Sequence, residues 1–186
     1  MYIRNIEYGV LKSYKYRIYP TSEQEVLINK HIGTVRFIYN LALETKQMAY
    51  SGLKHNMTCY DLNKQIPELK KVCPWLKEIN SQSLQASIAN LDSAFNMFFR
   101  GYNDFPKFKS KHNGGKSFQC AQNVEIDFEN KLLWLPKFKK GIEIVLHREF
   151  KGQLKSVTIS KSPSGKYSAS VLVDNHKDLP NLKPIK

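Results

Sequence analysis

One strand-like run stands alone at the front of this chain, and all the others lie behind Ser117. Leu11–Tyr19 alternates in the manner of a half-buried strand rich in Tyr and Ile, and Pro20 ends it. Short alternating segments return only at Ser117–Cys120, Val124–Phe128, Leu132–Leu135, Ile142–Leu146, Leu154–Ser160 and Lys166–Val173. Ser162-Pro-Ser-Gly165 supplies a hairpin turn between the last two. The economical assembly pairs the opening strand with the C-terminal ones. A small closed or half-open β-barrel then carries a helical insertion between its first and second strands, which makes the fold α+β.

The insertion reads as helices. Thr21 or Ser22 caps the first, with Glu23 and Glu25 in the turn where the helix dipole favours acids. Leu27, Ile28, Ile32, Val35, Ile38, Tyr39 and Ala42 form its apolar stripe, and Ser51-Gly52 closes it. Gly33 interrupts the stripe at a cost of about 1 kcal/mol relative to Ala and marks a bend or a close helix contact. Thr58 caps a short helix through about Leu69. The turn Val72-Cys73-Pro74-Trp75 is expected to dock Trp75 on the core. Ser81 is read as the cap of a third helix with the stripe Leu84, Ile88, Leu91, Phe95 and Phe98, ending at Gly101. Asn113-Gly114-Gly115 breaks the chain, and from Asp174 it turns polar with Pro180 and Pro184, like a linker.

Charge narrows the partners. The 186 residues hold 29 Lys+Arg against 16 Asp+Glu, a net +13, so a polyanion bound with release of counterions is expected. The basic residues recur along strands and loops and do not line one amphipathic helix, which argues against a membrane surface. No run approaches the 18 apolar residues of a membrane span, and the N-terminus lacks the apolar region of a secretory signal. Cys59, Cys73 and Cys120 form no CxxC pair, so small core residues in a reducing cytoplasm are expected.

Catalytic patterns are missing: there is no Walker A loop, HExxH, GxSxG or paired metal-ligand cluster. His31, His55, His112, His147 and His176 are scattered and read as surface or packing residues. Glu125, Asp127 and Glu129 alternate on a strand and read as a solvated face before a metal site. The basic-aromatic stretches are more informative. Phe105-Pro-Lys-Phe-Lys-Ser-Lys-His112 offers Lys107, Lys109 and Lys111 to phosphates and aromatics to bases; the alternative is a solvated loop anchored by its two Phe residues. Lys137-Phe-Lys-Lys140 is a shorter version that adds Lys137, Lys139 and Lys140. Tyr14, Lys15, Tyr16 and Arg17 put bases and aromatics on opposite faces of the first strand, and Arg100 adds a further cation. Gln82 and Gln85, in the first turn of a helix, suit base-edge readout.

The ordered series KSYKYRIYPTSEQE, GTVRFIYNLAL, PWLKEINSQSLQ, LDSAFNMFFRG, FPKFKSK and SVTISKSPSGKYSASVLV resembles the N-terminal half of TnpB, the OrfB protein of insertion sequences, related to type V CRISPR effectors. The resemblance covers nearly the whole chain. It implies a small wedge-type, OB-like β-barrel split by an inserted helical recognition domain. The first barrel strand would occupy 1–20, the recognition insertion 21–112, the remaining barrel strands 113–173, and a linker 174–186. It also implies a guide (omega) RNA and double-stranded DNA as partners, with a short transposon-adjacent motif read in the duplex. In such proteins, older descriptions of which speak of a transposase and a helix-turn-helix, cutting belongs to a following RuvC-like domain with metal-bound acids. Its opening, a strand like VGIDLG, would come just after Lys186. The chain is therefore expected to be a cut or naturally truncated copy, without cofactor or nuclease activity, magnesium entering only with the RuvC-like part. The family's motif-reading places fall here on Cys59 and Asn63, on Ser81, Gln82 and Gln85, and on Asn123. Gln85 matches a family Gln; the others depart from the pattern, which includes a Tyr, a Lys and a Phe, so the bases read differ. The competing readings are a stand-alone DNA-binding regulator with a helix-turn-helix in Ser22–Ala42, and a non-functional truncated transposase.

Overall fold

A computed structural model of the protein describes residues 10–112 and 115–175. Asn113, Gly114, His176 and the polar tail beyond Asn175 lie outside the described residues. The opening strand β1 (Leu11–Tyr19) is followed by α1 (Ser22–Leu53), α2 (Cys59–Val72), a 3-10 turn (Pro74–Glu78) and α3 (Ser81–Phe99). Six strands follow: β2 (Lys116–Cys120), β3 (Glu125–Asp127), β4 (Leu132–Trp134), β5 (Ile142–Val145), β6 (Gln153–Lys161) and β7 (Tyr167–Asp174).

The seven strands form one antiparallel sheet in the order β2-β6-β7-β1-β5-β4-β3, curled as a half-barrel. As the lone early strand requires, β1 is central. It pairs with β7 from Leu11↔Asp174 to Ile18↔Tyr167, and with β5 from Arg17↔Val145 to Tyr19↔Glu143. Alternation sends Tyr16 and Ile18 inward beside Ile142, Ile144, Val157, Ile159, Val171 and Val173. The Ser162–Gly165 turn joins β6 to β7, with Gly165 at φ 78. Gly152 enters β6 at φ 127, where a Cβ would strike the Asp174 carbonyl.

Helix α1 starts on a capping box between Thr21 and Gln24, and α2 on one between Thr58 and Asp61. Each box satisfies two otherwise orphaned backbone donors, and a cap of this type contributes about 1 kcal/mol. Three local expectations are corrected. Gly33 neither bends α1 nor marks a close contact: the helix continues through it for 32 residues, and a Cβ there would meet nothing within 4 Å. Burial on both sides outweighs the propensity penalty. Trp75 remains 44% exposed, edge-on to Phe37, while Leu76 fills the core position. The cap of α3 is Asn80, whose side chain accepts from the Gln82 N–H; Ser81 is already helical.

Two cores result. Ile28, Ile32 and Val35 of α1 close the half-barrel. Ile38, Tyr39, Ala42 and Leu43 of the same helix join Leu62, Leu76, Leu84, Ile88 and Leu91 in a helical core. Gly101, at φ 75, ends α3 in a Schellman arrangement: its N–H reaches Phe98 O and that of Tyr102 reaches Met97 O.

Candidate nucleic-acid interface

Most of the residues singled out in the sequence fall on three surfaces, and some are withdrawn from solvent. On β1, Lys15 is exposed and Arg17 half-buried, the latter with its guanidinium 5.2 Å from the Tyr19 ring. The aromatic set faces inward. Tyr14 packs against the barrel core, and Tyr16 is 1% exposed, its hydroxyl donating to Arg148 O at 2.8 Å. Tyr16 is therefore a core residue with no stacking face to offer a base, contrary to the sequence reading.

The second surface is the loop after α3. Phe105 stands edge-on to Phe95 and Phe98, and Pro106 is buried. The Asn40 amide clamps the Lys109 backbone, accepting its N–H at 2.8 Å and donating to its carbonyl at 3.0 Å. The Lys109 ammonium lies 3.9 Å from the Tyr39 ring, and burial lowers its pKa. Lys109 thus anchors the loop on α1, while the residue itself remains exposed. Lys107 makes only a loose, solvated pair with Asp104 at 3.6 Å. Arg100, Phe108 and Lys111 are exposed.

The third surface surrounds the start of α3. The loop after β4 buries Phe138 and is held to α1 by Gln24 Nε2, which donates to Lys140 O and Gly141 O at 3.2 and 3.1 Å. Lys137, Lys139 and Lys140 stay exposed on this fixed loop. Lys70, at the end of α2, donates to Ser81 Oγ at 2.6 Å. Burial, and then the Lys137 charge, lower the Lys70 pKa, so these cations lie close together. Gln82 Nε2 donates to Gln122 Oε1 at 2.6 Å, which ties α3 to the β2–β3 turn holding Asn123 at φ 55. Gln85 is exposed and has no hydrogen-bond partner among the described residues.

Cys59 and Asn63 sit apart from this group on α2. Asn63 Nδ2 donates to Cys59 O at 2.9 Å and to its Sγ at 3.4 Å. Burial, and then the Asp92 carboxylate, push the Cys59 thiol up. With Lys70 at Ser81 and Cys59 near Asp92, α2 runs antiparallel to α3. A rise of about 1.5 Å per residue puts Asn63 roughly one turn away in height from Gln85. Pro67 lacks the N–H that would bond the Asn63 carbonyl. The side-chain oxygens of Asn63 and Gln82 are buried and unpaired, so both amides must turn before they can read a base.

The residue that joins these parts was not recognised in the sequence. His31 is fully buried; its Nδ1 bonds Leu27 O at 2.9 Å, and its Nε2 accepts the Asn80 N–H at 3.3 Å. Burial holds it below the usual histidine range, with Lys137 acting in the same direction, so the ring is neutral. Ser83 Oγ donates to Gln119 O and Ser87 Oγ to Val35 O, which completes the seam between α3, α1 and β2. The available signal was spacing: His31 follows Leu27 and Ile28 by four and three on the apolar stripe. Asp127 accepts from the Asn130 backbone and side chain in a turn, and no group of three His, Cys, Asp or Glu converges among the described residues.

A family model described as a helix-turn-helix domain of OrfB matches residues 10–54. InsQ of Escherichia coli K12, named as a candidate RNA-guided DNA endonuclease, is 30% identical over 172 residues, 91% of this chain and 42% of its own length. A Streptomyces pristinaespiralis protein named in the same way is 28% identical over 89% of this chain and 42% of its own length. The chain thus spans under half the length of both. The virulence protein VsdF of Salmonella dublin is 36% identical, over 55% of this chain and 96% of its own length. The chain belongs to the TnpB (OrfB) family. Within this TnpB-family chain the matched segment consists of β1 and α1. Ser22–Ala42 lies in one uninterrupted helix, so the helix-turn-helix expected there is not formed. No helix among the described residues is long and apolar enough to cross a membrane.

Proposed function

We propose that this chain is the nucleic-acid-binding part of an RNA-guided DNA endonuclease. It holds a guide RNA on its basic surface and reads a short motif in duplex DNA with the start of α3. In this reading the half-barrel is the wedge, OB-like unit and residues 21–112 are the inserted recognition domain. The observation that carries the reading is Gln85: exposed, without a partner among the described residues, one turn into α3, four residues after the Ser81 hydroxyl that Lys70 bonds. A free amide can bond adenine bidentately in the major groove, while lysines around it hold phosphates without regard to sequence. Cys59, Asn63, Ser81, Gln82 and Asn123 form the rest of the proposed reading surface. Lys15, Arg17, Arg100, Lys107, Lys109, Lys111 and the Lys137–Lys140 loop form the proposed phosphate surface. The kinship with proteins named as RNA-guided endonucleases supports the same assignment.

The chain itself acts by binding. Two-metal cleavage needs carboxylates that hold cations about 3.5–4 Å apart, and magnesium belongs in this proposal to a RuvC-like domain. The test offers the pure chain a guide RNA and a pool of duplexes with a randomised flanking motif. RNA retention and enrichment of one motif are expected. Magnesium-dependent cutting by this chain would refute the binding-only assignment, and failure to retain RNA or enrich a motif would refute the rest.

A further inference from the structure

A cleft of about 390 Å³ opens where α1, α3 and β2 meet. Its apolar floor is Ile32, Val35 and Phe118, and its rim carries Arg36, Lys109, Lys116 and Asn90. No carboxylate lines it. Arg36 and Lys116 have no ion-pair partner among the described residues. Two of the serine hydroxyls in its wall, those of Ser83 and Ser87, are engaged with Gln119 O and Val35 O. The exposed basic and amide groups lie at the mouth and the apolar surface at the base. We infer that this cleft takes one unpaired nucleotide, its base on the Ile32–Val35–Phe118 floor and its phosphate between Arg36 and Lys116. The volume lies at the small end for ligand pockets and excludes a duplex. A flat, largely apolar ring with an anionic end matches a floor without charge and a rim without acids. Bases splayed out of single strands are commonly held by such sites. The inference rests on the nucleic-acid reading above for its source, but the chemistry would equally suit a free nucleotide, and the experiment separates the two.

The probe is a short single-stranded RNA carrying one abasic site, moved position by position, together with the four nucleoside monophosphates. Losing the docked base at one position is expected to weaken binding about tenfold, equivalent to roughly 1.4 kcal/mol. Ala86→Leu, which fills the cleft wall without altering charge, should erase that difference and leave the salt dependence unchanged. Arg36→Gln with Lys116→Gln, changed at the rim where folding is not at stake, should weaken the docked position more than the rest. If monophosphates shift the Arg36 side-chain NMR signal while no abasic position matters, the site stands with a free nucleotide as its ligand. RNA binding that is indifferent to every abasic position, with no response to monophosphates, overturns the cleft and leaves the broader reading intact. Loss of RNA binding altogether with a persistent monophosphate response does the reverse.

Discussion

Gln85 and His31 show how differently one side chain can serve this fold. Gln85 makes no bond within the described structure, so Gln85→Ala should leave stability and RNA affinity near wild type. It should also relax the preference at one base of the motif, a bidentate amide contact being worth about 1–3 kcal/mol. An unchanged motif in a randomised-duplex selection would remove Gln85 from the readers. His31 is the opposite case, buried and bonded on both ring nitrogens. Its folded pKa lies below the ordinary value, so the unfolded chain takes up the proton first as pH falls. The stability due to neutral His31 is therefore complete above about pH 6.5 and lost below it, with a slope of up to about 1.4 kcal/mol per pH unit. Denaturant titrations between neutral and mildly acidic pH should show this slope in wild type and lose it in His31→Gln; equal slopes would contradict the assignment. Gln85 was legible in the sequence because an exposed helix start needs only a cap and a stripe to locate it. His31 was not, because a lone histidine reveals nothing about the Asn80 N–H that meets it from a distant element.

Among the elements, the loops separate cations that the sequence could not tell apart. Lys107, Lys109 and Lys111 share one segment, yet Lys109 is turned onto Tyr39. Lys109→Gln should loosen the loop, the lost cation–π contact being worth about 0.5–2 kcal/mol in a urea titration. By contrast, Lys137, Lys139 and Lys140 are exposed on a loop pinned by Gln24. Changing all three to Gln should lower the slope of log affinity against log salt by roughly 2–3, at about 0.7–0.9 per phosphate. A titration with an unaltered slope would show that this loop does not meet the RNA. The strand β6 depends on Gly152, whose left-handed backbone lies against Asp174. Gly152→Ala should cost at least about 1–3 kcal/mol by urea unfolding, the range for a strained backbone, with the clash added. The hairpin turn at Ser162–Gly165 was plain in the sequence because its residue types specify its geometry. Tyr16 was not, since alternation fixes that Tyr14 and Tyr16 share a face but not which face is inside.

At the scale of the molecule, the pairing of β1 with β5 and β7 was legible for a topological reason: a solitary strand at one end has partners only at the other. The continuity of α1 was hidden because a glycine costs only about 1 kcal/mol, which burial on both sides of Gly33 outweighs. That continuity makes α1 a shaft with two sets of teeth: Ile28, Ile32 and Val35 engage the half-barrel, and Ile38, Tyr39 and Leu43 engage the helices. The angle between the two sets is fixed by residue count. One residue added beside Arg36 would turn one set by ~100° against the other, at 3.6 residues per turn. An addition of seven residues would leave the sets within ~20° of their present phase. Changes of length within α1 are therefore tolerable only in near-whole turns.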